Sequence, residues 1–210
     1  MPPPLHRLKE TPSQTAGPFV HIGMAPAVAG LDAVFARDLG AAIAGPETPG
    51  ERIRVTGVIL DGDGVPVRDA VIETWQADAA GLYASPADPR QGATAPDFTG
   101  WGRFAVDLAS GEFAFETVKP GPAPGPQGTT MAPHIALWIV ARGVNLGLAT
   151  RLYFPDEDAA NAADPILARA GEPGRRATLI AEAAGQADGM AVYRFVIRLQ
   201  GADETVFFAT

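Results

Sequence analysis

Residues 52–60 read RIRVTGVIL, and this stretch decides the fold class because polar and apolar side chains alternate along most of it. The apolar or small set falls at every second position: Ile53, Val55, Gly57 and Ile59. Successive side chains on a strand point to opposite faces, so this alternation predicts a half-buried β-strand. DGDG at 61–64 then predicts a tight turn, because glycine supplies the positive φ that such turns require.

Strand-like segments continue on the C-terminal side of this stretch at short intervals. They are AVIETWQA (70–77), GRFAVDL (102–108), GEFAFETV (111–118), HIALWIVA (134–141), ATRLYF (149–154), YRFVIRL (193–199) and ETVFF (204–208). Many short strands separated by turn signals are typical of a β-sandwich. The sequence therefore predicts a mainly β fold, a sandwich with an extended N-terminal arm and a few short helices.

The remaining segments predict the arm and the helices. Residues 1–18 are rich in Pro, Thr, Ser and Gln without any period, which indicates an extended arm. Residues 31–44 have helical spacing that stops at GPETPG, and two more short helices are expected at NAADPILARA (161–170) and RRATLIAEAA (175–184). We expect one domain over 1–210, with the arm and a short helix at 1–50 and the sandwich at 51–210.

Composition excludes several classes of function. The chain has 24 acidic and 16 basic residues, a formal net charge of −8, and this charge argues against nucleic acid as a partner. It has no cysteine, which excludes disulfides, thiolate metal sites and thiol nucleophiles and fits a reducing compartment. MPPPLHRLKE lacks the apolar core of a secretory signal, and the longest apolar run, 135–141, is too short for a bilayer. We therefore expect a cytoplasmic protein without a membrane partner.

His134 is the histidine that most resembles a metal ligand, because it opens the strand-like segment HIALWIVA. The next side chain on the same face of a strand is two positions on, and that position is Ala136. A protein metal site needs about three ligands of matching chemistry, and the neighbours of His134 supply none. His6 falls in the arm, and His21 is expected to be a partly buried, hydrogen-bonded ring.

No motif for covalent or phosphate chemistry is present. The three serines lie in turn-like surroundings without a G-x-S-x-G elbow, and neither G-x-G-x-x-G nor a P-loop occurs. Acidic groups at 61–63 and 156–158 occupy turns and helix starts, where carboxylates commonly cap backbone N–H groups. The residues alone indicate a β-rich domain without an assembled active site and leave its function open.

Six segments, in order along the chain, resemble the intradiol ring-cleavage dioxygenase family. They are TPSQTAGPFVHIG (11–23), VIETWQADAAGLY (71–83), FETVKPGP (115–122), APHIALWIVARG (132–143), TRLYFPDE (150–157) and YRFVIRLQGADETVFF (193–208). They are most similar to the α chains of the two-chain, protocatechuate-cleaving members. The resemblance implies an α/β hetero-oligomer with a homologous iron-binding β subunit, acting on protocatechuate and O2 to give 3-carboxy-cis,cis-muconate in aromatic catabolism.

The resemblance also implies where iron is bound. In the β chains of the family, two tyrosines and two histidines hold Fe(III), and their positions here are Tyr83, Ala123, His134 and Ala136. Only Tyr83 and His134 retain a donor atom, while Met131 falls where the β chains carry an arginine. We therefore expect no metal and no catalytic residue in this chain, with Fe(III) held by the β subunit and His134 kept for packing or hydrogen bonding.

For this chain the resemblance implies a role in the walls of the β chain's substrate cleft. Thr15, Gly17 and Pro18 in the arm are candidate substrate-binding residues, unless the arm only fastens the two chains together. Arg142 is a candidate partner for the substrate carboxylate, the alternative being a surface arginine paired with an acid. Phe19 replaces the tyrosine that many α chains carry.

Two other readings compete with the subunit hypothesis. One is a β-sandwich that binds a ligand or protein through its loops and has no enzymatic role, since a fold does not determine a function. The other is an independent iron enzyme with unusual ligands, against which Ala123 and Ala136 argue.

Overall fold

The computed structural model describes residues 14–31, 34–35, 39–88, 90 and 94–209. Residues 1–13, and with them most of the expected arm and His6, lie outside the described part. The strands are β1 (Arg52–Leu60), β2 (Val71–Gln76), β3 (Trp101–Ala105), β4 (Glu112–Val118), β5 (Ala123–Pro124), β6 (Thr130–Met131), β7 (His134–Val140), β8 (Leu148–Tyr153), β9 (Glu182–Ala187) and β10 (Met190–Arg198). The helices are α1 (Val20–Met24), α2 (Asp158–Ala163) and α3 (Pro173–Ala177), with 3-10 turns at Gly17–Phe19, Pro126–Gly128 and Leu167–Ala170.

Two four-stranded sheets form the body of the protein. The first sheet has the order β4-β1-β10-β9, and the second has the order β3-β2-β7-β8. β1 runs parallel to β10, with Ile53 opposite Ala191, and the other pairings in these sheets are antiparallel. β5 and β6 form a separate two-stranded ladder. The mainly β sandwich predicted from the sequence is confirmed.

The core lies between the two sheets, because the alternating apolar residues of both sheets turn toward each other. The first sheet contributes Ile53, Val55, Phe115 and Phe195, and the second contributes Ile72, Ile135, Leu137 and Ile139. Gln76 ties the sheets together: it is fully buried, and its amide donates to the carbonyl of Val118 at 2.9 Å and accepts from Thr117 Oγ1 at 2.9 Å. All three contacts of this amide lie in the interior, so it links β2 to β4 without an orphaned polar atom.

The helices expected near the C-terminus are corrected by the structure. In 161–170, α2 ends at Ala163, because Pro165 disfavours the helical conformation of Asp164. The only other helical turn in this segment is a 3-10 turn that begins at Leu167. In 175–184, α3 ends at Ala177 and the chain becomes extended. The backbones of Leu179 and Ala181 pair with Tyr153, and β9 begins at 182.

Two further expectations were wrong in part. ETVFF (204–208) forms no strand, and only Phe208 makes a bridge, to Ala149, because Thr150 Oγ1 takes the carbonyl of Val206 at 2.7 Å. The helix expected at 31–44 is absent from the described residues 39–44, which form turns and a bridge from Ala44 to Phe98. Residues 32–33 and 36–38 lie outside the described part. No helix in the described ranges is long and apolar enough to cross a membrane.

Candidate functional site

Tyr83 lies on a loop after β2 that is held in place by two carboxylates. Asp78 accepts hydrogen bonds from the backbone N–H groups of Ala80 and Leu82, both at 2.9 Å. Asp88 accepts from the backbone N–H of Tyr83 at 3.1 Å and pairs with Arg90 at 2.8 Å, and these hydrogen bonds lower the pKa of Asp88. The sequence interpretation missed this loop, although Asp78 and Gly81 in DAAG are a turn signal.

The ring of Tyr83 stacks parallel to Trp75, with 6.1 Å between the ring centroids. Burial raises the pKa of its hydroxyl, and although the nearby Arg151 lowers it, the net direction is upward. Tyr83 is therefore a neutral phenol at physiological pH.

His134 is the first residue of β7 and is buried. Its Nδ1 lies 2.7 Å from the carbonyl oxygen of Ala132, and because a carbonyl can only accept, Nδ1 carries the proton. The ring packs against Tyr153, with 5.7 Å between centroids. Burial, and then the charge of Arg151, lower the pKa of His134 to about 4, so the imidazole is neutral. Packing and a hydrogen bond are what the sequence predicted for this ring.

Ala123 and Ala136 bring methyl groups to the places where the resemblance predicted ligands. Ala123 pairs with Met131 in the β5–β6 ladder and is buried in a small apolar cluster that Tyr83 joins from its edge. Ala136 lies opposite Arg151 in the β7–β8 pairing. It also lines a cavity of about 390 Å³ on the outer face of the second sheet, which we call the Arg151 cavity.

Arg151 is the residue around which these four positions gather, and the sequence interpretation missed it. Its Nη1 donates to Met131 Sδ at 3.3 Å, and its charge acts on Tyr83, His134 and Tyr153. Thr150 and Leu152 are buried, so alternation alone places Arg151 on the outer face of β8. What could not be read from the sequence is the register that sets it opposite Ala136.

Asp164 was also missed, and it holds the helical segment over the second sheet. It is buried, and its Oδ1 accepts from the backbone N–H groups of Ile166 at 2.8 Å and Leu167 at 2.6 Å and from the hydroxyl of Tyr153 at 3.1 Å. Its Oδ2 accepts from the backbone N–H of Ala132 at 2.7 Å. An acidic residue directly before a proline at a helix start was the available signal.

The residues around Arg151 do not fit a ferric ion. Two of the four compared positions, Ala123 and Ala136, are methyl groups, and the guanidinium of Arg151 occupies the neighbourhood in which a cation would have to be bound. Across the described ranges, no group of three or more His, Cys, Asp or Glu side chains could hold a metal. No catalytic step through a metal is assigned to this chain.

The structure brings Thr15 and Gly17 next to the loop that follows β7. Thr15 Oγ1 accepts from the backbone N–H of Gly143 at 2.9 Å and from that of Gly17 at 3.2 Å. Gly17 has a φ of +58°, which favours glycine, and Pro18 follows it in the 3-10 turn. Arg142, on this same loop, is 66% exposed in its side chain, and its Nε pairs with Asp69 at 3.0 Å.

The sequence profile of the family described as Dioxygenase matches residues 25–201. The chain belongs to the intradiol dioxygenase family. Members of this family are generally iron-dependent. Membership confirms the resemblance, while the assignment of the four iron-ligand positions to Tyr83, Ala123, His134 and Ala136 stays a prediction.

Curated intradiol dioxygenases of both chain types are similar to this sequence. The protocatechuate 3,4-dioxygenase alpha chain of Pseudomonas putida is 46% identical over 205 residues, which cover 98% of each chain. The beta chain of Burkholderia cepacia is 39% identical over 171 residues, covering 78% of this chain and 71% of that one. Among solved structures, the 3-chlorocatechol 1,2-dioxygenase of Rhodococcus opacus 1CP has a TM-score of 0.59 at 23% identity, covering 75% of this chain and 62% of that one, and supports the fold alone.

Proposed function

We propose that this chain is the non-iron-binding α subunit of a protocatechuate 3,4-dioxygenase. A homologous β subunit holds the Fe(III), and the assembly cleaves protocatechuate with O2 to 3-carboxy-cis,cis-muconate. The full-length similarity to α chains supports the assignment, with one domain over 1–210. The observation that carries it is the arrangement at Arg151, where a guanidinium and the methyl groups of Ala123 and Ala136 stand among the compared ligand positions.

The role we propose for this chain is to shape the substrate cleft of the β subunit. Thr15, Gly17 and Pro18 form part of its wall, and Arg142 supplies a positive charge for the substrate carboxylate. The contact of Thr15 with Gly143 supports this role, because it fixes the arm to the loop that carries Arg142. A local cation is needed because the chain has a net charge of −8, which by itself repels an anionic substrate.

Exposed apolar side chains support the proposed assembly. Seven of the eleven large hydrophobic residues exposed in the described ranges fall between positions 19 and 39: Phe19, Ile22, Val28, Leu31, Val34, Phe35 and Leu39. Apolar groups concentrated in this way mark a protein interface more often than a free surface. The segment follows Thr15 and Gly17 directly, so the proposed cleft wall and the proposed interface are continuous along the chain.

Iron counting tests the proposal most directly. This chain is expressed alone and together with a homologous β chain from the same source that retains both tyrosines and both histidines. We expect no stoichiometric iron on the chain alone, and one iron per α/β pair with protocatechuate-cleaving activity. Stoichiometric iron on the chain alone would refute the proposal, as would a stable β chain that reaches full activity without it.

A matched pair of variants separates the effect of the missing ligands from the effect of the charge of Arg151 on iron binding. The Ala123→Tyr, Ala136→His double variant restores the four donor types, and the further change Arg151→Gln removes the competing charge. We expect the double variant to remain free of iron, because the guanidinium repels the metal, and the triple variant to gain it. Iron in the double variant alone would show that Arg151 does not exclude the metal.

A further inference from the structure

The Arg151 cavity has aromatic walls. The chain has three tryptophans, and all of them line it: Trp75 from β2, Trp101 from β3 and Trp138 from β7. Two of these indole rings pack against other residues of the chain. Trp75 stacks on Tyr83, and Trp138 packs so closely on Gly147 that a methyl group there would lie 2.0 Å from the indole. The indoles of Trp75 and Trp138 are therefore held in place before any ligand binds, and aromatic walls of this kind favour a flat aromatic ligand.

The cavity also holds two positive charges that have no acidic partner among the residues that the structure describes. Arg151 lines it from β8, and Arg169 lines it from the 3-10 turn Leu167–Ala170. In the described ranges, no carboxylate oxygen lies within 4.0 Å of either guanidinium. The one acidic residue that lines the cavity, Glu73, is already paired with Arg103 at 2.6 Å.

Arg151 uses few of its hydrogen-bond donors within the described part of the chain. Its Nη1 donates to the thioether of Met131, which accepts poorly compared with oxygen, and the guanidinium also interacts with the hydroxyl of Tyr153. A guanidinium has five N–H donors arranged in a fork that matches a carboxylate. An anionic ligand would give a charge partner to two arginines that have no carboxylate partner among the described residues.

We propose that the Arg151 cavity is a binding site for a planar aromatic carboxylate, with the ring between the indoles and the carboxylate paired with Arg151. Arg169 adds a second positive charge at the rim. The site needs no metal, and it goes beyond the proposed subunit role without resting on it. A cavity of about 390 Å³ is large enough for a single-ring acid and falls within the range of small-molecule sites.

The test uses 4-hydroxybenzoate, which lacks the second hydroxyl of a catechol, and its neutral isostere 4-hydroxybenzamide. Each is titrated into the full chain while heat and tryptophan fluorescence are recorded. We expect one molecule of the acid per chain, with quenching of the indoles that surround it, and about ten-fold weaker binding of the amide. Absence of saturable binding, or equal affinity for acid and amide, would overturn the proposal.

Variants assign the effect to the two arginines. Arg151→Met should weaken binding of the acid at least about ten-fold and Arg169→Met about three-fold, because Arg151 is half-buried opposite Ala136 whereas Arg169 is exposed to solvent. Arg194→Met is the matched control, since Arg194 pairs with Glu112 on the first sheet, and it should change the affinity less than about two-fold. Equal losses in Arg151→Met and Arg194→Met would contradict the assignment.

A second kind of variant keeps the test decisive if Arg151→Met fails to fold. Ala136→Leu enlarges a side chain that lines the cavity next to Arg151 and leaves both charges unchanged. We expect it to abolish binding of the acid with an unchanged far-ultraviolet circular dichroism spectrum. Where the chain is studied in a complex with a partner, the comparison is the number of sites per chain, which should fall by one in Ala136→Leu. An unchanged number would refute the site.

Discussion

His134 and Arg151 lie on neighbouring strands and share one small environment, in which a neutral ring stays close to a fixed charge. The ring is buried, donates to the carbonyl of Ala132 and packs on Tyr153. The charge of Arg151 lowers the pKa of His134, and the charge of Asp164 raises it. At this scale the sequence interpretation was right about His134 and incomplete about its surroundings. A single side chain can be placed by alternation, but its neighbours across a sheet depend on strand register.

The pH dependence of stability should report the burial of His134. Its folded pKa of about 4 is below the ordinary value of 6.5, so the unfolded chain binds the proton more readily. The stabilisation is complete above pH 6.5 and is lost as the pH falls toward 4, by about 3 kcal/mol in all. Between pH 7 and pH 4 the free energy of unfolding, measured with urea, should fall about 3 kcal/mol further in the wild type than in His134→Gln. Parallel curves would contradict this.

Substitutions of Arg142 and of its partner Asp69 should change KM for protocatechuate in opposite directions. Arg142→Ala in the assembled enzyme should raise KM for protocatechuate about three- to five-fold and leave KM for catechol nearly unchanged, since an exposed ion pair contributes at most about 1 kcal/mol. Asp69→Asn removes the competing carboxylate 3.0 Å from Arg142 and should lower KM for protocatechuate. Equal effects of Arg142→Ala on the two KM values would show that Arg142 does not bind the substrate carboxylate.

Among the elements, the segment from α2 to β9 differs most from expectation, and the difference has a local cause. The composition of 161–184 favours helix, yet Pro165 interrupts it and the backbone of Tyr153 recruits Leu179 and Ala181 into pairing. By contrast, β1 runs from Arg52 to Leu60 as alternation predicts, because both of its neighbours and the core face are in place. A local sequence pattern predicts secondary structure correctly where tertiary packing favours the same structure. It fails where a strand distant in sequence pairs with the segment instead.

Asp164 should be the most sensitive position of the helical segment. Asp164→Ala leaves buried N–H groups of Ala132, Ile166 and Leu167 without acceptors, which should cost about 3 kcal/mol or more and lower Tm by about 6–12 °C. Asp164→Asn keeps one acceptor oxygen, so its Tm should lie between those of Asp164→Ala and the wild type. The control is Asp158→Ala at an exposed site, which should shift Tm by less than about 3 °C. Equal shifts in both alanine variants would contradict this.

For the whole molecule, the distribution of exposed apolar surface predicts how the chain associates. Phe19→Ser with Ile22→Ser should weaken binding to the β chain at least ten-fold, because burying a large apolar side chain contributes about 1.5–3 kcal/mol. Leu108→Ser removes a similarly exposed group elsewhere and serves as the control. Dilution of the complex followed by light scattering measures both. If the two variants weaken assembly equally, the interface is not formed by the segment from 19 to 39.

The parallel pairing of β1 with β10 has a consequence for how the chain acquires its fold during synthesis. Ile53 meets Ala191, so β1 leaves the ribosome long before its central partner exists. At roughly 5–20 residues per second, the roughly 140 intervening residues take about 7–30 s to translate. Until β4 is synthesised both edges of β1 are unpaired, and from then until β10 emerges one edge stays unpaired. The nascent chain is therefore most exposed to misassociation before its last strand emerges, and truncations that remove β10 should aggregate rather than fold.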